Sequence, residues 1–246
     1  MYLAVLLPSI FALYALYKKK LTNLAVLCAW VMGVVIAYCG GLFPFFALAL
    51  TFVLTLLSDK LKKGEKDEKR NAYQMISNIL TSFVAIVLFY VTKQDVFYVT
   101  YYAVIGTSLA DTLASSLGSL STKKPVNPLN FKKMKKGESG AISFLGINAS
   151  ILGGIIVGLV YYYVSYNVKM YLFIILMAFV GTYIDSILGA FFQAKYECKV
   201  CYEQVEVDIH CKKNTKLIKG YKWMTNDTVN LLNNISVFII SYLILK

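Results

Sequence analysis

The chain has 246 residues, 58% hydrophobic and 15% charged, with a formal net charge of +12. A soluble domain carries about 25% charged residues, so these figures exclude an ordinary water-soluble globule. They indicate a polytopic membrane protein whose positive charge belongs to its loops, not to nucleic-acid binding.

A helix needs about 20 residues to cross a hydrocarbon core. Eight apolar segments approach or exceed that length, at about 2–17, 21–39, 42–57, 71–91, 96–118, 139–165, 170–194 and 227–245. The expected fold is all-α: an integral membrane helical bundle of about eight transmembrane segments forming one domain over 1–246. Six or seven crossings stay open, because the first and third segments are short enough to be partly re-entrant. The N-terminus lacks the basic start of a cleaved signal, since Lys18, Lys19 and Lys20 follow the first apolar stretch. Gly40-Gly41 reads as a tight turn, and Pro44 sits where a helix start tolerates it. Cys28 and Cys39, isolated in apolar segments, read as packing residues.

Basic residues cluster in four links: three at 18–20, six in 58–70, six in 119–138 and seven in 195–226. Eight crossings put all four links on one side, with 22 of the 25 basic residues and only Lys93, Lys169 and Lys246 opposite. The positive-inside rule makes that side cytoplasmic and both termini external, in the expected setting of a prokaryotic plasma membrane. Tyr38, Phe43, Tyr90, Phe97, Tyr98, Tyr161, Tyr162, Tyr163, Tyr166 and Tyr171 map near the outer ends, as a lipid-facing interfacial belt.

Three pairs, Asp111-Thr112, Asp185-Ser186 and Asp227-Thr228, lie within these apolar segments. Ionisable groups there are costly and mark functional sites. At ~1.5 Å rise per residue, Asp111 sits roughly 10 Å and Asp185 roughly 13 Å from the basic end. Asp227 opens the last segment and Asp59 closes the third. Polar or small residues recur on the same helix faces: Thr107, Asp111 and Ser115; Gly181, Asp185, Gly189 and Gln193; Arg70, Gln74 and Asn78; Asp227, Asn230 and Asn234; Thr51, Thr55 and Asp59. Five such stripes fading outward predict a cavity open to the cytoplasm, the alternative for each being interhelical hydrogen bonding.

Carboxylates with amide and hydroxyl oxygens suit Mg²⁺, which binds through one or two carboxylates plus substrate phosphates. Asp111, Asp185 and Asp227 are the expected catalytic metal ligands. Gln74, Asn78 and Asn230 would meet phosphate oxygens or metal-bound water, beside Ser115, Gln193 and Asn226. Arg70, Lys135 and Lys136 would pair with phosphates. The run 135–140 precedes a helix, and with Ser139 it reads either as a phosphate cradle or as an ordinary turn capped by Ser139. No Walker motif is present. Gly106-Thr107 before Asp111 and Gly181-Thr182 before Asp185 form a weak parallel repeat, unlike the inverted repeats of many ion-coupled transporters. The 195–226 loop carries Cys198, Cys201, His210 and Cys211, a ligand set for structural Zn²⁺, with free thiols or redox chemistry as alternatives.

Five runs together resemble the integral membrane family that includes the plant phytyl-phosphate kinase and transmembrane-protein-nineteen-like proteins. They are RNAYQMISN (70–78), ADTLASSLG (110–118), KGESGAISFLG (136–146), DSILGAFFQ (185–193) and WMTNDTVNLL (223–232). The likeness covers about 21–240 and includes the cysteine–histidine loop. One departure is Ser116, where the family usually has an acid; Asp111 then carries that helix's role. The resemblance implies phosphorylation of an isoprenoid monophosphate, such as phytyl or geranylgeranyl phosphate, by a nucleoside triphosphate, with CTP favoured. A cytidylyltransferase-like or other lipid-phosphate transferase, a transporter and a purely structural bundle are the alternatives.

Overall fold

The computed structural model describes residues 2–61 and 69–246. Among them are eight helices: α1 (Tyr2–Tyr17), α2 (Asn23–Gly40), α3 (Leu42–Asp59), α4 (Ala72–Thr92), α5 (Asp95–Gly118), α6 (Phe144–Ser165), α7 (Val168–Phe191) and α8 (Asn226–Leu245). Six of them, α2, α3, α4, α6, α7 and α8, are long and apolar enough to cross a membrane. Helix α1 is shorter, with 16 residues. Helix α5 has 24 residues but is more polar, and it sits at the centre, touching α3, α4, α6, α7 and α8. Tyr101, Tyr102, Val104, Leu109 and Ala110 are fully buried there. A helix sheathed by other helices need not be apolar, because its partners rather than lipid meet its side chains.

Local chemistry sets the helix starts. Asn71 and Gln74 make a reciprocal capping box on α4. Thr22, Ser143, Asn167 and Thr225 cap α2, α6, α7 and α8. The sixth helix therefore begins at Phe144, later than the expected 139. Its cap is Ser143 and not Ser139, because Gly137 and Gly140 take positive φ and turn the chain before the helix can start.

Helices α5 and α6 approach closely beside the site. A Cβ on Gly153 would lie 2.6 Å from the Ala110 Cα, so only glycine lets α6 pass beside the turn that carries Asp111.

The four basic links gather at one end of the bundle. The first two are joined by a parallel bridge between Leu21 and Arg70, with Thr22 N–H donating to the Arg70 carbonyl at 3.0 Å. Lys62, Lys63 and Lys66 of the second link lie outside the described residues. The helical bundle matches the expected fold class, and the α7–α8 link adds short strands to it. The link contains β1 (Lys195–Glu197), β2 (Gln204–Val205), β3 (Ile209–His210), β4 (Lys213–Asn214) and β5 (Lys216–Lys219). Antiparallel strands in the order β2-β1-β5 form one small sheet, and β3-β4 form a hairpin.

The aromatic belt is only partly lipid-facing. Tyr38, Phe43, Tyr90, Tyr163 and Tyr166 are exposed. Phe97, Tyr98 and Tyr161 instead pack inward: Phe97 stacks on Phe238 and Tyr242, and Tyr98 contacts Phe89, Tyr102 and Tyr161. Tyr162 and Tyr171 are half-buried against each other. Side-chain depth alone does not distinguish a helix face turned to lipid from one turned to a neighbour.

Candidate functional site

A cavity of about 1250 Å³ opens at the end where the basic links meet. Its walls come from the inner ends of α3, α4, α5, α6, α7 and α8 and from the links between them. Asp111, Asp185, Asp227, Arg70, Gln74, Asn78, Ser115, Lys136, Ser139, Gln193, Asn226 and Asn230 all line it. Of the residues expected at the phosphate site, Lys135 does not. It lines a smaller neighbouring pocket, shared with Lys136, Glu138 and Ser139 of the same turn.

The polar stripes divide by depth. Their inner members face the cavity, whereas the outer members hold the helices together. Thr107 Oγ1 donates to the carbonyls of Ala103 and Met177. Asn234 bonds to the carbonyls of Ser77 and Asn78 and accepts from Ser108. Thr51 and Thr55 are buried in the bundle, so only Asp59 of that stripe reaches the cavity. The expectation that whole stripes line the cavity is corrected, since helix packing closes the space above Asn78 and Asp111.

Asp111 and Asp185 face the same cavity from the adjacent helices α5 and α7, with their carboxyls beside each other. Asp185 Oδ1 is buried without a hydrogen-bond partner. Two carboxylates so placed repel unless a cation or a proton lies between them. The pair and its orphaned oxygen fit a hard divalent cation, which prefers carboxylate oxygen.

The cavity lining includes six acids, Asp59, Asp111, Glu138, Asp185, Glu206 and Asp227, and five bases, Lys20, Lys60, Lys69, Arg70 and Lys136. All five bases lie at the rim, where they outnumber the acids Asp59, Glu138 and Glu206, whereas Asp111 and Asp185 lie deeper along α5 and α7, so a cation is favoured at the floor and anions at the mouth. The residues that begin α4, α6 and α8, among them Asn71, Ser143 and Asn226, also line the cavity. A helix N-terminus carries unpaired N–H groups and the positive end of the helix dipole, which favour phosphate.

Several expected ligands already have partners. Arg70 donates to Asp59 Oδ2 at 2.6 Å. Gln74 Oε1 accepts from the Asn71 N–H in the capping box, and Asn78 Nδ2 donates to the Gln74 carbonyl. Lys136 Nζ donates to the Ser121 carbonyl. These residues frame the cavity, with some of their polar atoms committed to the frame. Ser116 does not line the cavity. It is buried, its Oγ donating to Ser58 Oγ at 3.4 Å.

The glycine turn docks on α7 beside the metal-ligand candidate. Gly140 has φ +74°, and a Cβ there would fall 2.3 Å from the carbonyl oxygen of Ser186, the neighbour of Asp185. Ser139 Oγ donates to Glu206, which also accepts from Gln193 Nε2 at 2.9 Å. Lys195 Nζ donates to Glu138 at 2.8 Å. Burial pushes the Glu138 carboxyl up, but the hydrogen bonds from Lys195 and the Lys135 N–H, with the Lys195 and Lys219 charges, bring it below the ordinary carboxylate range. Sequence reasoning missed Glu206. Nothing distinguishes it in the sequence from Glu197, Glu203 and Asp208 of the same loop.

Cys198, Cys201, His210 and Cys211 come together in that loop, their ligand atoms all within 4.8 Å of one another. Hydrogen bonds from the Cys201 N–H, the His210 ring and the Val200 N–H hold the Cys198 thiol down to about 6.

The match to known proteins extends over most of the chain. The family model described as integral membrane protein DUF92 matches residues 6–238. An uncharacterized membrane protein of Methanocaldococcus jannaschii is 28% identical over 201 residues, covering 79% of this chain and 84% of that one. Protein PGR of Arabidopsis thaliana is 29% identical over 278 aligned residues, covering 98% of this chain and 93% of that protein. An uncharacterized membrane protein of Synechocystis is 26% identical over 229 residues, covering 88% and 79%. No solved structure matches.

Proposed function

This chain belongs to the DUF92 family of integral membrane proteins, and on that premise we propose that it is a Mg²⁺-dependent membrane lipid kinase. It transfers the terminal phosphoryl group of a nucleoside triphosphate, CTP by preference, to an isoprenoid monophosphate such as phytyl or geranylgeranyl phosphate. The observation that carries this reading is the Asp111–Asp185 pair, with its orphaned oxygen, at the floor of a cavity rimmed by bases and helix N-termini. The likeness of five sequence runs to phytyl-phosphate kinases supports the substrate class. The site faces the cytoplasm in this reading, with the termini outside a prokaryotic plasma membrane, as the excess of basic residues at that end favours.

Magnesium bound at the floor would neutralise charge on the donor's β- and γ-phosphates. Asp111 and Asp185 would hold it, and Asp227, entering from α8, would serve as a third ligand or orient one. The rim bases Arg70 and Lys136, with the first amides of α6, would bind the phosphates. Ile147, Phe179 and Tyr183 are apolar or aromatic members of the lining on α6 and α7, and they would receive the start of the prenyl chain, whose remainder lies in lipid. A phosphomonoester has a second pKa of about 6, so the acceptor is already ionised at pH 7 and needs no strong base. Its oxygen bonds to the γ-phosphorus as the bond to the β,γ-bridging oxygen breaks. A prenyl diphosphate forms and a nucleoside diphosphate leaves.

The test incubates purified protein with Mg²⁺, CTP or ATP, and a panel of prenyl alcohols and monophosphates, and identifies products by mass spectrometry. The expected products are a prenyl diphosphate and a nucleoside diphosphate. Asp111→Asn and Asp185→Asn should each lower the rate on the order of 100-fold or more, as loss of a charge-stabilising group at a reaction centre does. Full activity in both variants would reject the metal assignment, and release of inorganic diphosphate would indicate nucleotidyl transfer instead.

A further inference from the structure

Outside the phosphate cavity, the link between α7 and α8 holds a second cluster built for chemistry. We propose that Cys198, Cys201, His210 and Cys211 bind one structural Zn²⁺, and that this metal fixes the loop as a wall across the mouth of the cavity. The proposal does not depend on the kinase reading.

The three spacings among Cys201, His210 and Cys211 are those of one face of a tetrahedron, and all four ligand atoms lie within 4.8 Å of one another. With Zn–S near 2.3 Å and Zn–N near 2.0–2.1 Å, tetrahedral edges come to about 3.8 Å between sulfurs and about 3.5 Å between sulfur and nitrogen. Cys201 Sγ and Cys211 Sγ are 3.8 Å apart, and His210 Nδ1 lies 3.5 Å from the first and 3.4 Å from the second. Cys198 completes the set from the buried side, its sulfur accepting from the Val200 N–H at 3.4 Å. Three thiolates and one imidazole are a soft set that selects zinc among common divalent ions. Four protein ligands leave no open position, so the metal staples rather than catalyses. Three thiolates around Zn²⁺ leave one negative charge, and Lys199, Lys212 and Lys213 flank the ligands in sequence.

The backbone is shaped to the same end. Cys211 and Lys212 are the two residues between β3 and β4, and both take positive φ, 51° and 59°. That is a tight turn of the kind that favours Asn-Gly, occupied here by residues that pay for it. The turn places adjacent residues, His210 and Cys211, on one ion, although their sequence spacing is tighter than in ordinary fingers.

The staple reaches the cavity. The ligand pairs enclose 202–209, and Glu206 of that segment holds both Ser139 and Gln193. His210 is at once a zinc ligand and part of the cavity lining. Lys195, at the start of β1, holds Glu138 of the glycine turn. Removing the metal would therefore loosen the turn at 135–140 as well as the loop.

The experiment purifies the full chain in detergent under reducing conditions and measures bound metals by plasma mass spectrometry. About one zinc per chain is expected, as four ligands make one site. Cys201→Ser and Cys211→Ser should each lose it. Hydrogen exchange on the wild-type protein, with and without a chelator, reads the wall without relying on any variant to fold. Zinc removal should raise exchange at 195–219 and 135–140, leave α5 unchanged, and be reversed by added zinc. Zinc at background, iron in its place or undiminished zinc in both variants overturns the site. Exchange at 135–140 that ignores zinc removal overturns the wall.

Discussion

The carboxyl of Asp185 and the missing side chain of Gly140 act within one turn of α7. Asp185 faces Asp111 across the α5–α7 contact, while the adjacent Ser186 carbonyl receives the bare Cα of Gly140. An added methyl group at Gly140 would meet the Ala190 amide nitrogen at 2.2 Å, and the residue's φ of +74° disfavours any L side chain. The backbone conformation alone costs roughly 1–2 kcal/mol. Gly140→Ala should therefore lift the turn from α7, lowering thermal stability in detergent and, under the proposed function, weakening nucleotide binding together. An unchanged melting temperature with unchanged nucleotide affinity would show that the turn is not held there. Gly137→Ala, also at positive φ but with open space around it, should disturb packing less.

Helices and links act as units through a few polar ties. The Asp59–Arg70 bridge joins the end of α3 to the start of α4 at 2.6 Å, but both side chains are about one third exposed (32% and 31%), so it orients more than it stabilises. The Lys195–Glu138 bridge is less exposed and ties the glycine turn to the cysteine–histidine loop. Because the Glu138 carboxyl lies below its ordinary range when folded, its contribution is fully present above the unfolded value of about 4.3 and is lost as pH falls through the folded one. The turn should hold through neutral pH and loosen only in more acidic solution. Lys195→Met should abolish that acid-dependent step in hydrogen exchange at 135–140. A step that persists in the variant would assign it to another group.

At the scale of the molecule, the bundle gathers its basic links around one cavity and leaves the other end aromatic. Single cysteines at Lys124 and Lys213 should react with a membrane-impermeant thiol reagent from the same side in sealed vesicles, and one at Lys93 only from the opposite side. Labelling of Lys93 and Lys124 positions from one side would break the eight-crossing arrangement. The cavity floor at Asn78, Asp111 and Phe179 also bears on mechanism. Beyond it, α5 presents the buried rings of Tyr101 and Tyr102, and Tyr101 donates to the Pro44 carbonyl at 2.7 Å. A cavity that ends at Asn78 and Asp111, with buried rings farther along α5, accords with the proposed reaction at one membrane face more than with passage across it.

The sequence by itself determined the helices, their polarity and the depth of the acids. Runs of apolar residues of bilayer length have one economical fate, and a rise of ~1.5 Å per residue converts position into depth. That is why Asp111, Asp185 and Asp227 were legible as one group at the basic end of the bundle, and why the cysteine–histidine spacing was legible as a ligand set. Rotation about each helix axis was not legible, because lipid and neighbouring helices both accept apolar or aromatic surface. Only the tertiary structure turned Phe97, Tyr98 and Tyr161 inward, gave Thr107 and Asn234 to helix packing, and placed Ser116 against Ser58. It alone brought Glu206 to Ser139 and Gln193, and Gly140 to α7. Such contacts join residues far apart in the chain through the close fit of particular surfaces, and no local periodicity encodes that fit.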